Sequence, residues 1–367
     1  MSNGFISSVW DFSEVGSTES GYLTHDFLRW YGKLIPQLVS KLINMYSEEG
    51  DTVLANFSGS GTVALEAHLA NRNAIGIDAN PLALLLSRVK STPAQFDPVE
   101  VIARLDKALP KATFRKYDSD EFLQKWFSKD SYEGLDRYYQ AIQKLENPNL
   151  RDTLNLALAS IVKKVSKVDA RCVNHIVVDS KKKPSDVRDS LYEKLVAISA
   201  DVEQLIPQKS KSSVNIKAGD ARKLDLKNNS VDFIISHPPY LGAIDYTNIM
   251  QLENLILGND NKLIDAKDIS TTSMKNYLLS MQDVFSEMQR VLKPGKHMAV
   301  VIGDNRKDGN IQPTFSYFIQ DATNRLGLEL RDIFIWVTRG KAGMNVARRG
   351  NFIDHNYILI FKKTSNT

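Results

Sequence analysis

A polar, proline-rich segment carries the residues of this chain that are best placed for chemistry. The apolar run at 231–235 ends in Ser236, His237, Pro238, Pro239 and Tyr240. Such a run predicts a buried strand, and open α/β sheets bind their ligands beyond the carboxyl ends of their strands. Consecutive prolines fix the backbone and donate no N–H, so the neighbouring carbonyls are free to accept hydrogen bonds. Together with the flat face of Tyr240, these acceptors predict a site for a planar ring with an exocyclic amino group, such as a nucleobase.

A glycine-containing turn forms a second motif, between a predicted strand and the helix that follows it. Its residues are Phe57, Ser58, Gly59, Ser60, Gly61 and Thr62. Glycine lets the backbone turn tightly and approach a ligand, and the start of a helix offers free N–H groups. Asp78 ends the next predicted strand, where a carboxylate can accept both hydroxyls of a ribose. Asp78 alone could equally cap the helix that begins at Pro81, but its combination with the glycine turn favours the ribose role.

A third candidate, Asp220, closes the strand predicted at 214–217. From there its carboxylate can reach an adenine ring that lies across the sheet. A simple turn after this strand is the alternative interpretation.

Strand and helix patterns alternate in two blocks, and these elements must position the candidate residues. Strands are predicted at 51–56, 73–78, 214–217, 231–236, 297–303, 329–337 and 355–362. Helices are predicted at 62–71, 81–89, 277–292 and 313–326. This alternation indicates an α/β fold with a mostly parallel sheet and helices on both faces. No helix separates the last two strands, so the carboxyl-terminal strand is expected to pair antiparallel.

Composition places the chain among ordinary globular proteins. It has 367 residues, of which 43% are hydrophobic and 25% charged, with a formal net charge of +4. A polyanion-binding face must therefore come from local clusters of basic residues. No export signal or membrane-spanning run is apparent, so we expect a cytoplasmic protein without a membrane partner. The single cysteine, Cys172, excludes disulfides within the chain and cysteine-rich zinc sites, and no metal site is expected.

These motifs resemble those of the S-adenosylmethionine-dependent DNA amino-methyltransferases, which methylate cytosine N4 or adenine N6. Four segments carry the resemblance: Thr24-His25 with 29–38, the glycine turn at 57–62, 76–81, and 236–240 with the residues that follow it. The resemblance implies a Rossmann-like methyltransferase sheet and S-adenosylmethionine as the cofactor. It assigns cofactor binding to Thr24, Phe57, Ser58, Gly59, Ser60, Gly61, Thr62, Asp78, Asp220 and Ser236. It assigns catalysis to His237, Pro238, Pro239 and Tyr240.

The chain departs from the family's usual pattern at two places. Ala55 and Asn56 stand where the family usually has Asp-Pro, which removes a carboxylate near the methionine end of the cofactor. His237 stands where the family usually has Asp, Asn or Ser. A neutral imidazole accepts a hydrogen bond through one nitrogen, so His237 can still bind an amino group.

The family mechanism needs acceptors for the amino hydrogens of the target base. The side chain of His237 and the carbonyl of Pro238 would stabilise the positive charge that builds on the nitrogen. Tyr240 would stack on a base that has left the duplex, which offsets part of the cost of unstacking it. Methylation of cytosine C5 instead needs a cysteine nucleophile beside a proline, and Cys172 has no such neighbour.

We expect duplex DNA as the partner, with a flipped target base, and a cognate restriction endonuclease in a restriction-modification system. A helical insertion at 97–211 separates two parts of the catalytic domain, a cofactor-binding part at 1–96 and a second part at 212–367. The insertion is the expected target-recognition element, and its basic residues are Lys163, Lys164, Lys167, Arg171 and 181–183. Further phosphate contacts are expected from Arg339, Lys341, Arg348 and Arg349, although a solvated hairpin tip would have the same composition.

Cytosine N4 is the favoured target, because forms related to Ser-x-Pro-Pro-Tyr are typical of enzymes that methylate it. Adenine N6 is the alternative within the family. Outside it, an RNA guanine-N2 methyltransferase uses a similar Pro-Pro-Tyr motif, but no RNA-binding module is recognisable. The substitutions at Ala55, Asn56 and His237 leave a fourth interpretation, a DNA-binding relative that has lost catalysis.

Overall fold

The computed structural model describes residues 6–12, 14–169, 176–208, 210–242, 245–265, 269, 271–307, 310–338 and 355–365. In chain order the strands are β1 (Ile6–Asp11), β2 (Thr52–Ala55), β3 (Asn73–Asp78), β4 (Val214–Ala218), β5 (Val231–Ser236), β6 (Leu292–Ile302), β7 (Asn305–Lys307), β8 (Asn310–Gln312), β9 (Glu329–Val337) and β10 (His355–Lys362). The helices are α1 (Ser17–Ser20), α2 (Pro36–Tyr46), α3 (Thr62–Leu69), α4 (Pro81–Ser91), α5 (Pro98–Ala108), α6 (Glu121–Trp126), α7 (Lys129–Gln143), α8 (Pro148–Val165), α9 (Val187–Leu205), α10 (Tyr246–Ile249), α11 (Gln251–Ile256), α12 (Asn261–Asp265), α13 (Met274–Val291) and α14 (Thr314–Gln320).

The sheet of the described residues has eight strands in the order β1-β9-β10-β6-β5-β2-β3-β4. All neighbouring strands in it are parallel except β10, which pairs antiparallel with both β9 and β6. This arrangement confirms the predicted α/β class, with its mostly parallel sheet and antiparallel carboxyl-terminal strand. Strands β7 and β8 form a separate antiparallel hairpin beyond the end of β6.

The centre of the sheet is buried on both faces, as the continuous apolar sequence of β5 predicts. All six residues of β5 are buried. On β2, Val53 and Ala55 pack in one hydrophobic cluster with α2 and α3, whereas Leu54 packs in another with α13. Because both faces of β2 and β5 are covered, their carboxyl ends are held rigidly and can position side chains beyond the sheet.

Two helix starts lie next to the strand ends. Helix α4 begins with Pro81, and the Asn80 side chain caps it by accepting a hydrogen bond of 3.0 Å from the backbone N–H of Leu82. Helix α3 begins at Thr62 after Gly61, whose φ of 75° lies in the left-handed region that glycine adopts easily. Both helices therefore start directly beyond the strands that precede them.

Helices α5 to α9 make up the predicted helical insertion. They share one hydrophobic cluster with α4, with α11 and with the segment from Phe27 to Tyr31. The insertion is thus packed against the sheet-bearing part of the chain. The proposed boundaries at 1–96, 97–211 and 212–367 stay a prediction.

Among the differences between the sequence prediction and the structure, three concern β1, β6 and the helix predicted at 313–326. Strand β1 was not predicted, and it pairs parallel with β9 at the edge of the sheet. Strand β6 begins at Leu292, ahead of the predicted start at 297, because Leu292 already pairs with Val231 before an irregularity in the register. The helix predicted at 313–326 divides into α14 and a π-helical turn over Asp321–Arg325.

Candidate active site

A cleft opens beyond the carboxyl ends of β2, β3, β4 and β5. Its empty volume, including space open to solvent, is about 1020 Å³. Gly59, Asp78, Asp220, His237 and Pro239 line it together. The structure therefore brings residues of all three predicted motifs to one cavity.

The glycine turn is fixed to the end of β3 by backbone hydrogen bonds. The N–H of Ser58 donates to the carbonyl of Ile77 at 2.9 Å, and the N–H of Gly59 donates to Oδ2 of Asp78 at 2.8 Å. The other carboxylate oxygen of Asp78 accepts from the N–H of Asn80 at 2.9 Å. Asp78 thus holds the turn in place through both of its carboxylate oxygens. Asn80 rather than Asp78 caps α4.

Asp220 faces the cleft but is engaged by its own neighbour. Arg222 donates from Nη2 to Oδ2 of Asp220 at 2.7 Å and from Nε to Oδ1 at 2.9 Å. The N–H of Arg222 also donates to Oδ1 at 2.9 Å. Asp220 therefore closes a turn and also lines the cleft, and its contact with an adenine ring stays a prediction.

The corner after β5 contains a hydrogen bond between two of the predicted catalytic side chains. His237 Nε2 lies 3.1 Å from the Tyr240 hydroxyl oxygen, and the two rings are perpendicular with centroids 5.3 Å apart. Burial lowers the pKa of His237 to about 4, so its imidazole is neutral near pH 7. Burial also raises the pKa of Tyr240, so its phenol stays protonated. Gly303 lies against this ring, and a Cβ added there would be 2.9 Å from Cε2 of Tyr240.

Two aromatic rings line part of the cleft, and neither has a role predicted from the sequence. Trp30 and Tyr246 are stacked with centroids 5.9 Å apart and an interplanar angle of 20°. The hydroxyl of Tyr246 donates to the carbonyl of Tyr31 at 3.2 Å, which joins α10 to the amino-terminal segment. Both rings line the cleft. The available signal was an aromatic residue in each of two segments that resemble the family.

A family model described as DNA methylase, of the N6/N4 type, matches residues 2–87 and 231–367. These ranges contain the glycine turn, Asp78 and the corner at His237, and they cover more than half of the chain. The chain belongs to the DNA methylase family. This match confirms the predicted family of S-adenosylmethionine-dependent DNA amino-methyltransferases.

Two curated relatives have names of the same kind. The chain is 24% identical to "Type II methyltransferase M.MjaII" of Methanocaldococcus jannaschii, over 81% of this chain and 75% of the relative. It is 25% identical to "Type II methyltransferase M.BsoBI" of Geobacillus stearothermophilus, over 72% of this chain and 59% of the relative. Thus the alignment spans about three fifths of the second relative's length. A solved S-adenosylmethionine-dependent methyltransferase from Methanosarcina mazei is 12% identical, with a TM-score of 0.37 over 88% of this chain and 97% of that one.

Among the predicted cofactor residues, Phe57, Ser58, Ser60 and Thr62 line the cleft with Gly59, Asp78 and Asp220. Five predicted site residues are not among the described residues that line it, namely Thr24, Gly61, Ser236, Pro238 and Tyr240. The Thr24 hydroxyl is fully buried and donates to the carbonyl of Lys90 at 2.7 Å. Ser236 is also fully buried, and its hydroxyl has no hydrogen-bond partner within the described chain. Neither side chain is therefore exposed to the cleft.

The basic residues of the insertion mostly have partners inside the protein. The Nζ atom of Lys163 lies 3.2 Å from Oε1 of Glu253, and it also lies over the ring of Tyr31. Lys182 donates to the carbonyls of Lys163 and Val168, at 2.6 and 2.8 Å. Lys164 pairs with Glu193, and Lys167 donates to the carbonyl of Gln124. Lys181 and Lys183 are exposed. Arg171, Arg339, Lys341, Arg348 and Arg349 lie outside the described residues.

The described residues contain no cluster of three or more His, Cys, Asp or Glu side chains that could bind a metal ion. None of the helices in that part of the chain combines the length and the apolar character needed to cross a membrane.

Proposed function

We propose that this chain transfers a methyl group from S-adenosylmethionine to an exocyclic amino group of a base in duplex DNA. The observation that carries the proposal is the opening of the His237 corner onto the same cleft as Asp78 and the glycine turn. Cytosine N4 is the proposed target, because the segment from Ser236 to Tyr240 has the Ser-x-Pro-Pro-Tyr form. The relatives named as Type II methyltransferases support DNA as the substrate.

The residues of the cleft fit the cofactor. Asp78 lines the cleft at the end of β3, the position from which a carboxylate can accept ribose hydroxyls, and residues of the glycine turn line the same cavity. Asn56 is buried and lines the cleft, and neither of its side-chain amide atoms has a hydrogen-bond partner in the described chain. A polar group of the cofactor would satisfy this amide, whose donor and acceptor otherwise remain unpaired at a cost of about 1–3 kcal/mol. Trp30 would cover the bound molecule.

When bound, S-adenosylmethionine supplies an electrophilic methyl group on a positively charged sulfur. The amino nitrogen of a base is a poor nucleophile because its lone pair is delocalised into the ring. His237 and the carbonyl of Pro238 would accept its hydrogens, which favours a tetrahedral nitrogen and stabilises the developing positive charge. The lowered pKa of His237, about 4, keeps the imidazole available as an acceptor.

The target base must leave the duplex to reach His237, because its amino group is otherwise paired and stacked. We propose that Tyr240 stacks on the flipped base, although it lies beside rather than within the wall of the cofactor cleft. Unstacking costs a few kcal/mol, roughly, and stacking on an aromatic ring offsets part of it. Recognition of the DNA sequence by the insertion at 97–211, and pairing with a cognate endonuclease, are parts of the same proposal.

One assay tests this proposal. The protein is incubated with methyl-labelled S-adenosylmethionine and either duplex DNA or structured RNA, and the nucleic acid is digested to nucleosides. Labelled N4-methylcytosine is the expected product, and N6-methyladenine would correct the base while keeping the reaction. Label found only in RNA would refute the DNA substrate. Cofactor binding without any label would support a relative that has lost catalysis.

A further inference from the structure

One segment of the insertion, at 104–116, concentrates basic residues at the surface. It covers the second half of α5 and the loop that follows. The segment has five basic residues and one acidic residue, so its formal charge equals the +4 of the whole chain. All five basic residues are exposed, and we call them the basic strip: Arg104, Lys107, Lys111, Arg115 and Lys116.

The charges of the basic strip are mostly unpaired. In the part of the chain that the structure describes, only Arg115 of the strip forms an ion pair, with Asp120 at 3.7 Å. The acidic residue of the segment, Asp106, is engaged elsewhere, since it accepts from the hydroxyl of Tyr138 at 2.6 Å and from Nε of Arg188 at 2.9 Å. The strip is therefore a surface of cations that a polyanion can bind.

An exposed aromatic ring lies within the strip. The side chain of Phe114 is 68% exposed, and its ring meets the ring of Tyr139 edge-on with centroids 6.3 Å apart. The backbone beneath it is fixed, because the N–H of Phe114 donates to Oδ2 of Asp136 at 2.9 Å. The carbonyl of Ala112 accepts from Nε2 of Gln140 at 3.1 Å. Proteins that bind nucleic acid combine cations for the phosphates with such aromatic or apolar side chains for the bases.

Tyr139 also connects the strip to the cleft. Its hydroxyl donates to the carbonyl of Leu257 at 2.9 Å, directly after α11. On either side of Leu257 in the sequence, Tyr246 and Ile264 line the cleft. Ile264 follows Leu257 by seven residues, so this contact lies within roughly 25 Å of the cleft. One duplex, with a rise of about 3.4 Å per base pair, can therefore reach both places.

We propose that the basic strip binds the phosphate backbone of duplex DNA beside the target base, and that Phe114 packs against the bases at the same place. This inference rests on the proposed function for the identity of the polyanion. It assigns the main DNA contact of the insertion to 104–116, whereas the sequence had indicated the lysines at 163–183.

The salt dependence of DNA binding tests the charges. Kd for a fluorescein-labelled duplex of mixed sequence is measured by anisotropy over a series of salt concentrations, with S-adenosylhomocysteine present. Each phosphate contact contributes about 0.9 to the slope of log K against log salt, so Lys111→Gln with Lys116→Gln should reduce this slope by about 1.8. The double variant should therefore bind about 60-fold more weakly than wild type at about 0.1 M salt, and the two should converge as the salt approaches about 1 M.

A matched control removes two lysines from the other side of the sheet. Lys211 and Lys227 are exposed and precede β4 and β5, so they lie near the amino ends of these strands, opposite the cleft. Lys211→Gln with Lys227→Gln should keep the wild-type slope.

Phe114→Ala tests the ring. Loss of contact with a base should weaken DNA binding about 5- to 100-fold, and the slope should stay that of wild type because no charge is removed. Tyr317→Ala is the control, since it removes an aromatic side chain that is 44% exposed on α14, and it should bind DNA as wild type does. An unchanged urea midpoint and an unchanged Kd for S-adenosylhomocysteine verify that each variant is folded.

The outcomes separate this inference from the proposed function. A wild-type slope in the Lys111→Gln, Lys116→Gln variant, or wild-type affinity in Phe114→Ala, would overturn the inference even if the protein methylates DNA. If wild type binds duplex DNA through the strip but transfers no methyl group, the proposed function fails and the inference stands. Tighter binding to structured RNA, with the same loss of slope, would assign the strip to RNA and overturn the inference. A wild-type protein that binds no duplex DNA would overturn both.

Discussion

Gly61 offers a stringent test of how the glycine turn is built, through the substitution Gly61→Ala. Its φ of 75° is left-handed, and a Cβ added there would lie 2.6 Å from Cα of Ser87 on α4. Gly50 provides the matched control. Its φ of 84° is similar, but an added Cβ would have no atom within 4 Å.

The two substitutions share one energetic cost and differ in another. Alanine in the left-handed region costs about 1–2 kcal/mol at either position. At Gly61 the Cβ also meets a backbone atom that cannot rotate away, so α3 and α4 must separate. Such overpacking typically costs about 1–3 kcal/mol. We therefore expect Gly50→Ala to lower the free energy of unfolding by about 1–2 kcal/mol and Gly61→Ala by about 2–5 kcal/mol.

Urea unfolding of the three proteins measures these differences. The experiment is repeated with S-adenosylhomocysteine at about 100 times the wild-type Kd, a concentration that should stabilise wild type and Gly50→Ala by about 2.7 kcal/mol. Gly61→Ala should gain clearly less, because the turn that lines the cleft has shifted. Equal destabilisation by the two substitutions, or an undiminished gain with ligand, would refute this account of the turn.

Three further outcomes follow from buried titratable groups. Lys90 is fully buried, its Nζ has no hydrogen-bond partner in the described chain, and burial lowers its pKa. Lys90→Met should therefore raise the free energy of unfolding at pH 7 by about 1–3 kcal/mol. Below pH 10.5 the unfolded state binds a proton at Lys90 that the folded state does not bind, so the free energy of unfolding of the wild type should rise with pH in this range. Lys90→Met should remove this rise, and a variant whose free energy of unfolding keeps the wild-type dependence on pH would contradict the assignment. Burial opposes ionisation of Asp232, but bonds of 2.8 Å from Lys293 to both carboxylate oxygens keep its pKa below the usual range. Asp232→Asn should therefore cost about 1–3 kcal/mol at pH 7 in chemical denaturation, and the difference from wild type should shrink as the pH falls through 4 and below. A constant difference across this range would argue against the ion pair. Because the pKa of His237 is about 4, single-turnover methylation should be insensitive to its protonation between about pH 5.5 and 8. An acidic limb centred near 6.5 that disappears in His237→Asn would contradict this assignment.

The sequence was sufficient for the central strands. The predicted bounds of β3, β5, β9 and β10 agree with the structure, because continuous or alternating apolar runs report burial directly. Strand β1 carries no such pattern, and it is held by distant parts of the chain, through its pairing with β9 at the sheet edge and the stacking of Trp10 on Phe334. The first residues of β6 include Pro294 and Gly295, which locally argue against a strand, and tertiary pairing overrides them.

The residues of the candidate site that belong to a local sequence motif could be predicted from the sequence. Gly59, Asp78 and His237 each stand at the end of a strand that the sequence reveals, and parallel strands bring such ends together. The stack of Trp30 on Tyr246 joins segments far apart in the chain, so no local pattern could show it. Lys163 and Lys182 also bind partners that no local sequence pattern shows, because the Glu253 partner of Lys163 and the carbonyl partners of Lys182 lie elsewhere in the chain. Basic residues that are already paired within the protein offer less charge to a phosphate backbone than their number in the sequence suggests.

The shared packing of the insertion has a consequence for protein engineering. The hydrophobic cluster that contains helices α5 to α9 also contains Trp30, and Tyr246 packs against it. The helices proposed to read DNA and the two rings that line the proposed cofactor cleft therefore pack against the same side chains. Exchanging the insertion between relatives as a cassette, to change sequence specificity, would remove the support of those rings. A functional chimera must therefore also include the residues of α4 and α11 that pack against the insertion. Without them, we expect the chimera to lose affinity for the cofactor as well as its original recognition sequence.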